Sequence, residues 1–394
     1  MRSKPIMIAG GGIGGLAAAL ALAKAGCASI VLEKASRFGE IGAGIQLGPN
    51  AFHSFDTLGF GDRARDAAVY VDKLRLMDAK TAEEICHIPL DAPFRERMGN
   101  PYAVVHRADL HGIMLDACIA HDLIELRTRQ HVEKYEQDGT VVTAFIRDEN
   151  PLQGAGLIAA DGLNSVIRNQ MIGDGLPRVS GHTTYRSVIP TENMPEDLRW
   201  NAATLWAGPK CHIVHYPLKG WKAFNLVVTY HNQAPEAVAG KPVSKEEVRR
   251  GFEHIHPRAR QVIDHGKDWK LWVLCDRDPI VNWVDGRVAL LGDAAHPMLQ
   301  YLAQGACMAM EDAVCLGAMI TENDSLETAL ELYRARRVVR TSRVVMGSRL
   351  MGDYVYHPDG AQALVRNAIM GSRTPEEWYD RIEWLYGGTG LDSK

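Results

Sequence analysis

Three glycines and a glutamate near the start of the chain have a spacing that suits the binding of phosphate and sugar groups. The glycines form the pattern Gly10-x-Gly12-x-x-Gly15, and Glu33 follows 18 positions after the last of them. Gly10 permits a tight turn, Gly12 lets a pyrophosphate approach the backbone, and Gly15 lets a helix pack closely on a strand. An acidic side chain at the distance of Glu33 is typical of a residue that binds ribose hydroxyls.

A second candidate site lies in the last third of the chain, where an apolar run ends at Gly292-Asp293. Asp293 directly follows this predicted strand and can hold a sugar or polyol hydroxyl. A loop with Pro297, Gln304 and Gly305 comes next, and an apolar-periodic helix then begins at Ala306. Backbone N–H groups at the start of a helix suit an anion or an electron-rich ring edge. The alternative is an ordinary connection between a strand and a helix. The interpretation as a ligand site is therefore supported only in combination with the first glycine pattern.

The composition is that of a large, nearly neutral globular chain. Its 394 residues are 46% hydrophobic and carry a net charge of −4, which allows two domains and leaves no basic surface for nucleic acid. Seven cysteines without a CxxC pair argue against a disulfide framework and against a zinc site. The one membrane-like run, Ile6 to Gly26, is interrupted by glycines, and no signal peptide is apparent. We expect a cytoplasmic protein without an integral membrane segment, a nucleic-acid partner or a metal.

The elements around the first glycine pattern predict a Rossmann unit. A buried strand over 6–9 precedes the glycines, a helix over 16–24 follows them, and a second strand over 28–32 ends at Glu33-Lys34. The carboxylate of Glu33 would repel a 2′-phosphate, which disfavours NADP. The glycine-rich segment 39–50 is predicted to be neither helix nor strand and to lie against a large flat ligand. This segment favours a flavin dinucleotide, FAD, over a simple nicotinamide cofactor.

Two further residues fall where a strand gives way to a helix. Arg107 follows a predicted strand over 102–106 and can reach a flavin or a pyrophosphate, although pairing with Asp109 or Glu40 is an alternative. Asp161 ends a predicted strand over 157–160. Because residues 157–160 are predicted to form a strand rather than the start of a helix, Gly154 and Gly156 are not predicted to form a second dinucleotide-binding motif. A nicotinamide donor must therefore bind transiently, without a Rossmann unit of its own.

The texture becomes β-rich between residues 184 and 274, where strands are predicted over 185–189, 203–207, 212–216, 223–230 and 269–274 and one amphipathic helix over 244–255. A polar loop is predicted earlier in the chain, over 95–100. We predict an α/β fold (α+β overall): a Rossmann-type FAD-binding domain, an inserted antiparallel β-sheet substrate domain and a helical C-terminal region. The expected segments are 1–72, 102–180 and 275–340 for the FAD-binding domain, 73–101 and 181–274 for the substrate domain, and 341–394 for the C-terminal region.

The order of these motifs resembles that of the group A flavoprotein aromatic hydroxylases. The matching pieces are Gly10-x-Gly12-x-x-Gly15 with Glu33, Asp161-Gly162, and the stretch 292–297, Gly-Asp-Ala-Ala-His-Pro. The resemblance implies that Asp293 binds the flavin ribitol and that Asp161 serves both the flavin and NAD(P)H. The full set expected to bind tightly held FAD is Gly10, Gly12, Gly14, Gly15, Glu33, Lys34, Gln46, Arg107, Asp161, Asp293, Pro297, Gly305 and Ala306.

Within this family the segments 208–218 and 297–306 are most similar to the branch that hydroxylates 3-hydroxybenzoate at carbon 6. The resemblance implies conversion of 3-hydroxybenzoate, NADH and O2 to 2,5-dihydroxybenzoate (gentisate) through a flavin C4a-hydroperoxide, with NADH as a transient co-substrate. The electrophile needs an electron-rich ring, so the phenol must lose or share its proton.

Three residues are the candidates for handling that substrate. His212 and Tyr216 are four apart on a predicted strand, so both side chains point to one face. One can take or relay the phenol proton and the other can hydrogen-bond the phenolate, the alternative being a packed core pair. Gln300 can orient the substrate carboxylate or hydroxyl. His215 points to the opposite face, and His296 is expected to be structural.

Other functions remain open at the level of sequence. A related hydroxylase acting on salicylate or 6-hydroxynicotinate is the first alternative, and an FAD-dependent reductase that inserts no oxygen is the second. A non-enzymatic FAD-binding protein is the third. We expect a monomer or a homodimer.

Overall fold

Four β-sheets organise the part of the chain that the computed structural model describes, residues 4–39 and 43–391. In chain order the strands are β1 (Ile6–Ala9), β2 (Ser29–Glu33), β3 (Gly44–Leu47), β4 (Val69–Tyr70), β5 (Lys73–Asp78), β6 (Glu84–Pro89), β7 (Ala103–His106), β8 (Ile124–Thr128), β9 (Val132–Gln137), β10 (Val142–Ile146), β11 (Leu152–Gly154), β12 (Gly156–Ala159), β13 (Arg178–Pro190), β14 (Ala202–Gly208), β15 (Cys211–Leu218), β16 (Ala223–His231), β17 (Lys241–Pro242), β18 (Lys270–Asp276), β19 (Val284–Asp285) and β20 (Val288–Leu290).

Helices cover these sheets and form most of the C-terminal third. They are α1 (Ile13–Lys24), α2 (Pro49–Leu58), α3 (Gly61–Ala67), α4 (Ala92–Met98), α5 (Arg107–Ile119), α6 (Val166–Ile172), α7 (Lys245–Arg250), α8 (Pro257–His265), α9 (Gly305–Glu322), α10 (Leu326–Met351), α11 (Gly360–Gly371) and α12 (Pro375–Tyr386), with a π-helical turn over Gly352–Tyr356 and short 3-10 turns over Thr191–Asn193, Glu196–Leu198, Gly292–Ala294 and Gln300–Leu302.

The predicted Rossmann unit is confirmed. Its sheet has the order β19-β20-β12-β1-β2-β8, and every pair except β19/β20 is parallel. Strands of such a sheet are covered on both faces, which is why β1 and β12 are continuous apolar runs. Helices α1 and α9 pack against each other over this sheet. The carboxyl ends of β1, β12 and β20 therefore meet at one edge, where a ligand can bind.

The β-rich middle of the chain forms an eight-stranded sheet in the order β17-β18-β13-β16-β15-β14-β5-β6. Neighbouring strands are antiparallel except β14 and β5, which run parallel because the chain enters this sheet twice. One face carries an apolar cluster covered by α7 and α8. The confirmed fold is thus a Rossmann-type unit combined with a second, larger sheet, whereas the residue limits of the segments stay a prediction.

Three local predictions were wrong. The polar loop expected over 95–100 is mostly helix α4, which begins after Asp91, whose carboxylate accepts a hydrogen bond from Phe94 N and caps the helix. Within the glycine-rich segment 39–50, β3 pairs with β7, so this part is a strand rather than irregular backbone; Glu40, Ile41 and Gly42 lie outside the described residues. The helix expected over 244–255 ends at Arg250.

The C-terminal region is helical, as predicted, and folds back over the large sheet. Helix α10 is continuous for 26 residues, and Ser325 caps it by accepting a hydrogen bond from Thr328 N. The π-helical turn after it brings the chain to His357, and α12 packs against α4. In the ranges that the structure describes, no helix has both the length and the apolar character needed to cross a bilayer.

Candidate active site

A cavity of about 490 Å³ lies between the Rossmann sheet and the large sheet. It brings together most of the residues that the sequence singled out. From the expected cofactor set it is lined by Gly10, Gly12, Gly14, Lys34, Gln46, Arg107, Asp161, Asp293, Gly305 and Ala306, and from the expected catalytic set by His212, Tyr216 and Gln300. Gly15, Glu33 and Pro297 lie outside this lining. Two sets of residues from distant parts of the chain therefore share one cavity.

The first glycine pattern forms the turn between β1 and α1. Gly10 has a φ of +106°, which side-chain-bearing residues rarely adopt, and a Cβ on Gly15 would lie only 1.9 Å from the Gly10 carbonyl oxygen. Gly15 thus acts by allowing this contact rather than by lining the cavity. Gly12 caps α1 without any side-chain hydrogen bond, so the first N–H groups of that helix are left for a ligand.

Glu33 stands at the end of β2 and is held by its surroundings. Its carboxylate accepts hydrogen bonds from Gly11 N and Ala35 N, both at 2.7 Å. These bonds fix the carboxylate beside the glycine turn, next to the cavity rather than in its wall. Its expected contact with a ribose stays a prediction.

The loop around Asp293 is supported from behind by a buried charge network. The Asp312 carboxylate accepts hydrogen bonds from Gly292 N at 3.1 Å and from Arg337 Nε at 2.7 Å, and it lies 2.5 Å from His296 Nε2. Although burial disfavours the charged form, the neighbouring His296 and Arg337 outweigh it and lower the pKa of Asp312 to about 2. The contact of His296 with Asp312 is consistent with the structural role expected of this histidine.

The network continues through Glu311, which binds Arg337 at 2.8 Å and Arg340 at 2.7 Å. Asn50 Nδ2 donates to Glu311 Oε1 at 2.7 Å and to Gln304 Oε1 at 2.8 Å. Because Gln304 is the residue before α9, these bonds fix the start of that helix beside the cavity. Helix α9 has no side-chain cap, so its N-terminal N–H groups remain available to a ligand.

On the opposite wall, strand β15 presents His212 and Tyr216 to the cavity, as the spacing predicted. His215 points the other way, where its Nε2 accepts a hydrogen bond from Trp206 Nε1 at 3.1 Å. Burial raises the pKa of Tyr216, so its hydroxyl stays protonated and can donate to a bound anion. Burial, with His357 and His182 alongside, lowers the pKa of His212 well below its ordinary value.

Gln300 lines the cavity, but its amide is engaged by the protein. Its Nε2 donates to Thr184 Oγ1 at 2.9 Å and to Thr229 Oγ1 at 3.1 Å, and its Oε1 accepts from Arg186 at 3.0 Å. This arrangement orients the Arg186 guanidinium. The direct contact of Gln300 with a substrate stays a prediction.

Three residues at this wall were missed by the sequence reasoning. Arg186 of β13 lines the cavity, Tyr356 lines it from the π-helical turn, and His357 Nε2 lies 2.8 Å from Nδ1 of His212. The sequence held one signal for Arg186, because this residue is a charged side chain inside the strand predicted over 185–189. Nothing local pointed to His357, which is 145 positions from His212.

Comparisons with known proteins decide the family. Residues 3–348 match the family described as FAD binding domain. The chain is 56% identical to 3-hydroxybenzoate 6-hydroxylase 1 of Aquipseudomonas alcaligenes, with 97% of each chain covered, and 52% identical to 3-hydroxybenzoate 6-hydroxylase of Polaromonas naphthalenivorans, covering 97% of this chain and 96% of the relative. The chain belongs to the FAD-dependent aromatic hydroxylases. The resemblance found in its motifs is thereby confirmed.

The fold of this hydroxylase is also similar to that of a solved structure that contains the cofactor. Klebsiella pneumoniae HpxO complexed with FAD and uric acid has a TM-score of 0.84 and 27% identity, covering 97% of this chain and 96% of that one.

FAD fits the cavity on the geometry of the hydroxylase itself. The uncapped starts of α1 and α9 both face it, and they suit the pyrophosphate and the electron-rich edge of the flavin ring. Asp161 is half-buried, and its Oδ2 accepts from Val166 N at 3.0 Å, whereas its solvent-shielded Oδ1 has no hydrogen-bond partner among residues 4–39 and 43–391. Burial raises the pKa of Asp161. A hydroxyl or N–H group of the cofactor or co-substrate would satisfy that oxygen.

Replacing Asp293 by alanine is expected to weaken FAD binding by roughly 10- to 100-fold, because a hydrogen bond to a charged acceptor contributes about 1.5–3 kcal/mol. The flavin content of the purified variant, read from its visible absorption, measures this. Asp324→Ala removes an exposed carboxylate outside the cavity lining and should leave the content unchanged. An Asp293→Ala protein that retains one FAD per chain after dialysis would refute the assignment.

Proposed function

We propose that this hydroxylase converts 3-hydroxybenzoate into 2,5-dihydroxybenzoate (gentisate), using NADH and O2. The balanced reaction is 3-hydroxybenzoate + NADH + H⁺ + O2 giving gentisate + NAD⁺ + H2O. The observation that carries the proposal is the presence, in one cavity, of a half-buried cation, Arg186, and of the pair His212 and Tyr216. The choice of 3-hydroxybenzoate among phenolic acids rests on the relatives that bear its name.

Arg186 supports an anionic substrate because this half-buried cation has no carboxylate beside it in the described residues. Its contacts are the neutral Gln300 amide at 3.0 Å and the ring of Trp272, whose centroid is 5.4 Å away. Its Nε has no hydrogen-bond partner within the described ranges, and burial lowers its pKa. Shielding a cation from water without a counter-charge costs free energy. A benzoate carboxylate bound at Arg186 would remove that cost and fix one end of the ring.

His212 and Tyr216 support a phenol at the other end. Nδ1 of His212 is engaged by His357 at 2.8 Å, which leaves Nε2 as the ring nitrogen that can accept the phenol proton. Tyr216, protonated at neutral pH, can donate its hydroxyl hydrogen to the resulting phenolate. Ionising the phenol raises the electron density at the position para to it, which is where the new hydroxyl of gentisate stands.

FAD, when bound, would accept the hydride of NADH in its oxidised form and, once reduced, would activate O2 for attack on the ring. The protein holds the ring, directs the proton and excludes water. Tyr356 and Val214 close the substrate wall with aromatic and aliphatic surface. The uncapped start of α9 would stabilise negative charge on a flavin ring held beside it.

Replacing Tyr216 by phenylalanine is expected to lower kcat on the order of 100-fold while KM changes less than about threefold, because the lost hydrogen bond acts mainly on the phenolate. Steady-state kinetics with 3-hydroxybenzoate measure both constants. Tyr185→Phe is the matched control, since Tyr185 is buried in the same sheet but packs in the cluster under α7 and α8. An unchanged kcat in Tyr216→Phe would remove Tyr216 from the mechanism.

The proposal is tested by measuring NADH and NADPH consumption with each monohydroxybenzoate, salicylate and 6-hydroxynicotinate, followed by chromatography of the products. We expect stimulation by 3-hydroxybenzoate, gentisate as the product and a preference for NADH. Salicylate converted to catechol, or hydroxylation of 6-hydroxynicotinate, would replace the proposed substrate. Oxidation of NADH without labelled oxygen in the aromatic product would show a reductase instead.

A further inference from the structure

Four histidines form a continuous cluster from the cavity to the protein surface. His212 lines the cavity, its Nδ1 lies 2.8 Å from His357 Nε2, and the two ring centroids are 5.0 Å apart with an angle of 25° between the ring planes. The His357 ring contacts that of His182 at 5.0 Å, and His182 contacts half-exposed His231 at 4.3 Å. We call these four residues the histidine cluster.

The backbone holds His357 firmly against the large sheet. His357 N donates to Gly352 O at 3.1 Å, and Lys210 N donates to His357 O at 3.3 Å. Lys210 belongs to the turn between β14 and β15, the strand that carries His212. The position of His357 is therefore set by two main-chain bonds that do not depend on its ring.

The environment of the cluster disfavours a stored positive charge. Across the described parts of the chain, no carboxylate is hydrogen-bonded to any of the four rings. Burial and the neighbouring histidines lower the pKa of His357 to about 3, and the pKa of His182 is lowered to about 4. The other titratable or charged groups that face the cluster are Tyr301, Tyr356 and, near His182, Arg178.

These properties create a difficulty for His212 as an isolated base. Leaving the phenol proton on His212 would create a buried imidazolium whose nearest counter-charge is the phenolate itself, and that ion pair would draw electron density away from the ring. An imidazole can avoid this, because one nitrogen can accept a proton while the other releases its own. The hydrogen bond between Nδ1 of His212 and Nε2 of His357 has the geometry for that exchange.

We propose that His357 is the second member of a two-histidine relay that carries the phenol proton out of the cavity. The proton enters at Nε2 of His212 while the hydrogen on its Nδ1 moves to Nε2 of His357. His357, which is half-buried, then releases the hydrogen on its Nδ1 towards solvent. One proton enters and one leaves, and no other reactant is needed. The inference rests on the proposed function, and His357 acts as a positioning residue through His212.

The test uses the FAD-loaded enzyme with His357 replaced by glutamine or by alanine. Glutamine can still hydrogen-bond His212 but cannot relay a proton, so we expect kcat to fall about 10- to 100-fold while the rate of flavin reduction by NADH and KM stay within about threefold. In His357→Ala, added imidazole should restore a large part of kcat. His265→Ala, an exposed histidine outside the cluster, is the control.

Two readouts separate a relay from a merely structural role. The loss in His357→Gln should shrink as ring fluorination makes the substrate phenol more acidic, and it should shrink as the pH rises, because an ionised phenol needs no relay. A loss that is equal for all phenols and insensitive to imidazole would overturn the proposal, as would an unchanged kcat. Failure of the wild-type enzyme to hydroxylate any hydroxybenzoate would instead refute the proposed function.

Discussion

Replacing Arg337 by methionine is expected to lower the free energy of unfolding by about 3–5 kcal/mol, which is the usual cost of removing one partner from a buried ion network. Arg337 is completely buried, and its guanidinium binds Glu311 at 2.8 Å and Asp312 at 2.7 Å. Methionine keeps the unbranched apolar stem of the side chain but removes the guanidinium, which leaves two buried carboxylates short of a cation. Because Asp312 also holds Gly292 N, the variant should retain FAD poorly as well.

Denaturant unfolding of the wild type and the variant measures this difference in stability. Arg336→Met makes the same chemical change at the adjacent, exposed position and should shift the free energy of unfolding by no more than about 0.5 kcal/mol. Equal stability of the Arg337 and Arg336 variants would show that the network does not support the fold.

Replacing Arg186 by glutamine is expected to raise KM for 3-hydroxybenzoate roughly 100-fold, because a charged hydrogen bond to the substrate carboxylate is lost in a buried site. The decisive comparison uses 3-hydroxybenzamide, which has nearly the same shape but no charge. The wild type should prefer the acid strongly, whereas Arg186→Gln should bind the two ligands within about threefold of each other. Steady-state KM values, or perturbation of the flavin spectrum on titration, measure this preference.

The matched control for this charge effect is Arg75→Gln. Arg75 belongs to the same sheet, but it pairs with Glu84 at 2.8 Å and does not line the cavity. Its removal should leave the preference for the acid over the amide intact. If Arg186→Gln also retained that preference, the carboxylate would have to bind elsewhere in the cavity.

The sequence predicted the parts of this enzyme that depend on local rules. The glycine turn follows from the backbone geometry required at Gly10 and Gly15, and the Rossmann sheet follows from the short apolar strands around it. The alternation of side chains along a strand was enough to place His212 and Tyr216 on the face towards the cavity and His215 on the opposite face of the same strand. Helix α4 was missed although its Asp91 cap is a local signal.

The contacts that complete the site are not local, and the sequence could not predict them. Gln300 was expected to meet the substrate, yet its amide is occupied by Thr184, Thr229 and Arg186, which lie on two other strands. The pairing of His212 with His357 depends on how the C-terminal region folds over the large sheet. Spacing along one strand reveals which face a residue occupies, but it does not reveal which distant residue lies opposite.

FAD and an aromatic acid must occupy the same cavity if this enzyme works as proposed. The most direct measurement is the visible spectrum of the purified protein during titration with 3-hydroxybenzoate. We predict a yellow protein with one flavin per chain whose spectrum shifts on saturable binding of the acid, and a loss of that shift in Arg186→Gln. A colourless protein that cannot be reconstituted with FAD, or a flavin spectrum indifferent to every hydroxybenzoate, would contradict the claim.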